Sequence, residues 1–501
     1  MSVSSKLNRV AVVGCLSAVC LVAAAALVMD GDGEVADDTP TASRPSLTRA
    51  AAPGAPLDIV ETAASTAPIE ISRRLFTESP VAVLVDAADP EAQRIAMISA
   101  TTLGAPVLID DPAAPGELAR LGASTVLTLG TTQSVPGATP VPVDEAAAAQ
   151  HVGAIRPTPP APPIDTIVLT TSLQADAVAV TTARIAGAQV LEVPTADPRG
   201  DPAAAQFLAE RPAQPVIALG AAFEDVAYPL DIVRRNAQQP TGGYFALGGR
   251  TYTAMYGHPG APQLGVLGEQ GVRASVTRVK RLVRKYERVG QRQFVPMFEI
   301  IATVASASAG KDKDYSTETP VDDLLPMVDA AEKAGIYVVL DLQPGRTDFL
   351  TQAKRYRSLL ERPHVGLALD PEWRLKKKQK HLVQIGSVTA DEVNRTATWL
   401  ADLTREKSLP QKVFVLHQFS LSMIKGRDRI DTTRPELATV VHVDGSGPQG
   451  AKQDTWRVLR KNAPAGVGWG WKNFVDEDSP MLNARQTWRE VDPHPDLVTY
   501  Q

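Results

Sequence analysis

The sequence predicts an α/β protein in which an N-terminal α/β domain of two βαβαβ repeats precedes a C-terminal (β/α)8, or TIM, barrel. Two observations carry this expectation. In the second half, seven short apolar runs each carry a carboxylate, histidine or tryptophan near their tips, at 253–258, 295–300, 337–343, 365–373, 412–419, 439–445 and 466–473. An eighth run, LVTY at 497–500, completes the series. Between 81 and 232 a strand–helix–strand–helix–strand pattern occurs twice.

From the N-terminus, Lys6 and Arg9 precede an apolar run from Val10 to Met29, so residues 1–30 are expected to form a signal peptide or membrane anchor. The only cysteines, Cys15 and Cys20, fall inside that run. The exported remainder is therefore expected to be stabilised by its cores, without disulfides. Residues 31–77 are rich in Ala, Pro, Thr, Ser and Asp and lack sustained periodicity, which predicts a flexible tether with ordered structure beginning near Val81. Residues 78–235 form the expected α/β domain. Its strands are continuous apolar runs, as in VAVLV and TIVLT, the pattern of a parallel sheet covered on both faces. Its helical segments carry recurrent apolar residues, among them Ala96, Ile98 and Leu103. The Gly pairs at 242–243 and 248–249 lack the strand-to-helix context of a phosphate loop and read as turns leading into a barrel over 245–501.

Composition narrows the function. A formal net charge of −5 gives no global electrostatic support for a nucleic-acid partner. All six tryptophans lie between Trp373 and Trp488, which concentrates chemically versatile residues in the second half.

The segments LGAPVLIDD (103–111) and ARLGASTVLTLG (119–130) resemble the cell-wall-binding repeat type 2 of Gram-positive surface proteins, and IAGAQVLEVP (185–194) with VIALG (216–220) resembles it more loosely. The resemblance covers under a third of the chain. It departs from the family at Glu91-Ala92-Gln93 and at Gly130-Thr131, where the family carries Asp-Ala-Leu and a double glycine. It implies an extracytoplasmic, cell-envelope location.

In a barrel of this kind the active site lies at the C-terminal ends of the strands. Alternation along each strand assigns faces. Asp370 shares parity with Glu372, Asp341 with Gln343, His442 with Asp444, and Trp469 with Trp471; Glu299, His258 and His417 each complete another strand. Carboxylates, histidines and aromatic walls in one cup fit glycoside hydrolysis, which needs one carboxylic acid for the leaving oxygen and a second group at the anomeric carbon. Glu372 is the expected general acid and Asp370 its electrostatic partner, with Glu299 and Asp341 as alternative nucleophile or base. Tyr256, His258, His417, Asp444, Trp469 and Trp471 are the expected substrate contacts.

The ALDPEW segment (368–373) resembles the Asp-x-Glu of the fourth strand in the family 25 lysozymes and family 18 chitinases. The resemblance implies that Glu372 is the acid and that Asp370 polarises an N-acetyl group or holds oxocarbenium charge. The chitinases carry a further Asp where this chain has Ala368, and the lysozymes an Asp on the first strand where this chain has Tyr256 and His258. The expected partners are a cell-wall or extracellular polysaccharide and, through the N-terminal segment, a membrane; no cofactor and no metal are expected. Two alternatives stand beside the hydrolase. One is a non-catalytic glycan-binding or scaffold protein. The other is a metal-dependent hydrolase drawing on His258, His417, His442, Asp341 and Asp370. The basic run RLKKKQKH (374–381) is either a solvated loop or an electropositive lip at the mouth.

Overall fold

The structure, a computed structural model, describes residues 49–61, 63, 65–130, 135–157 and 162–501. The expected signal or anchor segment, both cysteines and residues 31–48 of the expected tether lie outside them. Among the described residues no helix is long and apolar enough to cross a membrane.

The first half contains two four-stranded parallel sheets. In one, Val81–Val85 lies between Val107–Ile109 and Thr125–Leu129, with Thr139–Pro140 added at the edge. In the other the order is Leu57–Val60, Val216–Leu219, Ile167–Thr170, Gln189–Glu192. Helix Pro90–Leu103 shows how sequence sets these elements. Asp89 accepts the backbone N–H groups of Glu91 and Ala92, Pro90 occupies the first turn where no donor is needed, and Gly104 ends the helix at φ 66°. Thr182 of helix Ala177–Ile185 bonds both the N–H and the carbonyl of Val107, tying an edge strand of one sheet to a helix of the other.

Ordered structure starts earlier than Val81. Leu57–Val60 is a strand and Ala67–Leu75 a helix, both inside the stretch expected as tether. Ile69, Ile71 and Leu75 are fully buried there. Their spacing is diluted in the sequence by Glu70, Arg73 and Arg74 on the outer side, which pair locally with one another and with Asp58.

The second half is a closed barrel of eight parallel strands: Arg250–Gly257, Gln293–Ala305, Tyr337–Leu342, Val365–Leu369, Lys412–Gln418, Leu437–Val443, Gly468–Asn473 and Leu497–Tyr500. The first strand closes the ring by pairing with both the second and the eighth, Arg250 beside Gln293 and Tyr252 beside Leu497. Two apolar layers hold it. Tyr252, Val295, Met297, Val339, Val413, Val440 and Leu497 fill the interior, while the opposite parity packs outward against the helices. The alternation with helices fails once. Between the fifth and sixth strands there is no α-helix, but two short 3₁₀ turns, Leu421–Met423 and Arg427–Arg429, and the two-residue strand Ile424–Lys425.

The first half packs on the barrel's lower end. Tyr228 donates to the Leu409 carbonyl and Arg199 to that of Pro435, just before the fifth and sixth strands. Arg199 is also held between the Tyr228 and Phe245 rings. This leaves the opposite end, where the polar strand tips gather, free of the junction.

Candidate functional site

Inward parity, followed upward along each strand, passes from apolar to polar. Ala254 gives way to Tyr256, Met297 to Glu299, Val339 to Asp341, Ala368 to Asp370, Val415 to His417, Val440 to His442, Gly470 to Lys472 and Leu497 to Thr499. The result is a polar layer, almost wholly shielded from solvent, capping an apolar plug. His417 is its hub. Its Nε2 lies 2.8 Å from Glu299 Oε1 and its Nδ1 2.9 Å from Asp444 Oδ2, with Asp341 Oδ1 at 3.9 Å. Thr499 donates to the other Glu299 oxygen at 3.0 Å. Tyr256 donates to Asp341 Oδ2 at 2.7 Å, receives a bond from Gln343 at 3.3 Å, and has the Lys472 ammonium 3.8 Å from its ring centre.

Burial disfavours charge on every member, so partners decide which groups ionise. Burial alone would raise Glu299, but the charge and hydrogen bond of His417, with Lys472 nearby, outweigh it and hold the carboxyl at about 2. Burial would likewise strip His417 of its proton. Glu299 and Asp341 reverse that, aided by the bonds to Asp444 and Glu299, and keep the imidazole protonated well above its usual value. Asp444 is lowered by the same hydrogen bond and charge, against its own burial. Burial and the neighbouring positive charges of His417 and Lys472 push His442 down to about 3, so it is neutral. Three carboxyls go the other way. Burial lifts Asp341 to about 6, with Glu299 adding repulsion. Asp370 is raised well above its usual value by burial and by Asp341 and Glu372. Burial and the Asp444 charge lift Glu372 to about 7.

The fourth strand does not end as parity predicts. It stops at Leu369, and Asp370 caps a 3₁₀ turn, Pro371–Trp373, by accepting the Glu372 N–H at 3.3 Å. Pro371 offers no N–H to continue the ladder, and the Asp370 side chain satisfies the next donor. Glu372 thus sits above the buried layer rather than beside Asp370 on one strand face. Glu299, Asp341, Asp370 and Asp444 are buried, whereas Glu372 is partly exposed. It lines a cavity of about 300 Å³ together with Trp373, His381 and residues 382–385.

Tyr256, Glu299, Asp341, Asp370, His417 and Asp444 therefore come together, with Glu372 at the rim. Three expected contacts do not. His258 is a half-buried residue bonded to Thr319. Trp469 and Trp471 face outward, both edge-on to Trp456 of helix Gln449–Arg460, and Trp471 is buried in the outer layer with its Nε1 on Asn473. Trp469 and Trp471 share a face, but it is the outer one, because Gly470 and Lys472 are the inward pair. Gly470 is needed there. A Cβ would lie 2.5 Å from His442 Cδ2, so the missing side chain makes room for the imidazole.

Lys472, His442, Gln343 and Thr499 complete the layer without having been assigned to the hydrolytic site. Lys472 shares its parity with Gly470, but the sequence alone does not tell which parity of that strand faces inward. Thr499 had no signal beyond its place on the eighth strand.

Glu299, His417 and His442 each offer a donor atom within 4.8 Å of the others, as do Asp370, His417 and Asp444. Both sets rely on His417, whose two nitrogens are already engaged by carboxylates. A cation there would have to displace the proton that those carboxylates hold in place. His442 is the available donor, since neither of its buried nitrogens has a hydrogen-bond partner.

No family model matches the chain, and no curated protein matches it. Among solved structures it is similar to Cwp6 from Clostridium difficile, at 12 % identity over 63 % of this chain and 63 % of that one, with a TM-score of 0.18. The chain thus spans under two thirds of that structure, and so slight a likeness carries no argument about the site.

Proposed function

We propose that the protein is a cell-envelope glycoside hydrolase acting on a cell-wall or extracellular polysaccharide. One observation carries the reading: Glu372, held at about 7, is partly exposed and lines a cavity, while the buried Asp444 and Asp341 act on its carboxyl electrostatically. A carboxyl near neutrality keeps its proton until a leaving oxygen needs it. Glu372 is assigned as that acid. Asp370, raised by burial and tied to the Glu372 backbone, shapes the turn and polarises the substrate. Asp341 is assigned as base or nucleophile, because its Oδ1 has no hydrogen-bond partner. Glu299 is read as a positioning residue, both of its oxygens being engaged by His417 and Thr499. The envelope location rests on the positively flanked apolar run at 10–29 and on reading the paired parallel sheets as copies of the cell-wall-binding repeat.

The test is incubation of the protein with a panel of envelope polysaccharides and mass analysis of the products. Cleavage that Glu372→Gln abolishes, with binding retained, supports the assignment. Equal cleavage by that variant overturns it, and binding without cleavage by the wild type favours the glycan-binding alternative. The partnerless nitrogens of His442 favour one further reading, a metal-dependent hydrolase. Stoichiometric zinc or manganese in the purified protein, with activity lost on chelation, would establish that instead.

A further inference from the structure

The segment after the fourth strand is a closed loop with an unusual surface. Its base is a tight backbone approach: Gly386 donates to the Glu372 carbonyl at 2.7 Å and Ser387 to that of Arg374 at 3.1 Å. A Cβ on Gly386 would meet three carbonyl oxygens within 2.6 Å, so only glycine fits. His381 Nε2 lies 2.8 Å from the Tyr315 carbonyl, and the His381 ring sits edge-on to Trp373, strapping the loop to the mouth. Compact loops closed in this way are frequently functional.

At its tip Leu382 is 89 %, Val383 77 % and Ile385 53 % exposed, the two most exposed large apolar side chains of the described residues being Leu382 and Val383. Lys376, Lys377, Lys378 and Lys380 are exposed alongside. Among the described residues none of these four lysines is in an ion pair, and Lys376 is lowered by the adjacent Lys425 ammonium, a like charge left unneutralised.

We propose that the 375–385 loop docks the barrel mouth on an anionic lipid surface. Leu382, Val383 and Ile385 enter the apolar layer while the four lysines meet phosphoryl headgroups. A polyanionic glycan would satisfy the lysines and leave three aliphatic side chains in water, so the combination favours an amphiphile. The same three apolar residues line the Glu372 cavity. Docking therefore brings that cavity to headgroup level. The proposal stands on the loop alone and does not depend on the hydrolase assignment.

The apolar run at 10–29 can itself bind vesicles, so the measurement must be local. In the full chain with Cys15→Ser and Cys20→Ser, Val383→Cys is labelled with an environment-sensitive fluorophore and mixed with phosphatidylglycerol or phosphatidylcholine vesicles. The proposal expects a blue shift with the anionic vesicles and little with the neutral ones. A lysine near such a surface is worth about fivefold in partitioning. Lys→Gln at all four positions should therefore lower the labelled loop's association about a hundredfold or more. Leu382→Ser with Ile385→Ser should also reduce it. No blue shift, an equal shift with both vesicle types, or insensitivity to the four Lys→Gln changes would each overturn the proposal. So would a response to a soluble anionic polysaccharide equal to that with anionic vesicles, which would assign the loop to a wall polymer.

Discussion

Replacing Glu299 by Gln removes one negative charge from a completely buried set while barely changing the side chain's shape. The native carboxyl stands at about 2 against an ordinary 4.5. At about 1.4 kcal/mol per pH unit, that gap is worth about 3 kcal/mol. Breaking one side of a buried charge pair is expected to cost about 3–5 kcal/mol, because the partner is left uncompensated. The two routes agree. The sign follows from the depressed native value: the stabilisation is fully present above the unfolded value near 4.5 and is lost as pH falls toward 2. All six tryptophans lie in the barrel half, so fluorescence-detected denaturant unfolding reports on the relevant region. Glu299→Gln should lose about 3 kcal/mol at pH 7, roughly 6–12 °C in melting temperature for a unit of this size. The difference from wild type should shrink between pH 5 and pH 3. A loss below about 1 kcal/mol at pH 7, or one independent of pH, would refute the charge-pair account.

Other outcomes follow from the same geometry. Glu372→Gln should lower turnover by about 10²–10⁴-fold while leaving stability within about 1 kcal/mol, read by product release and by melting. With Asp341 at about 6 and Glu372 at about 7, turnover should rise as the first loses its proton and fall as the second does, peaking between pH 6 and 7. Undiminished turnover at pH 9 would contradict this. Trp471→Ala should cost about 3–5 kcal/mol of stability with no selective loss of polysaccharide affinity, since the ring belongs to the outer core. Gly470→Ala should cost about 1–3 kcal/mol and shift the His442 resonances in NMR spectra, because the new methyl group meets that imidazole.

How far the sequence spoke depended on the kind of signal. Apolar runs of strand length with polar tips were enough to find all eight barrel strands, since a strand buried on both faces is apolar almost throughout. The same property hid direction. In GVGWGWKN both parities are compatible with an inward face, and only the helix Gln449–Arg460 behind the strand shows that the tryptophans belong outside. The Asp370–Glu372 pairing assumed an extended chain, whereas Pro371 and the Asp370 cap turn it aside. The Asp444–His417–Glu299 chain was beyond sequence reading. Its members come from the sixth, fifth and second strands, and only closure of the ring brings 299 to 417. The early helix Ala67–Leu75 was missed because its buried side is narrow and its charged side dominates the composition.

The attachment of the first half beneath the barrel, through Tyr228 to Leu409 and Arg199 to Pro435, has an architectural consequence. The joint and the polar layer occupy opposite ends of the barrel. Loops at the polar pole are thus free to lengthen, shorten or change their charge without disturbing the joint that holds the two halves together. Conversely, a change at the joint would reach the histidine hub only through the whole height of the apolar plug.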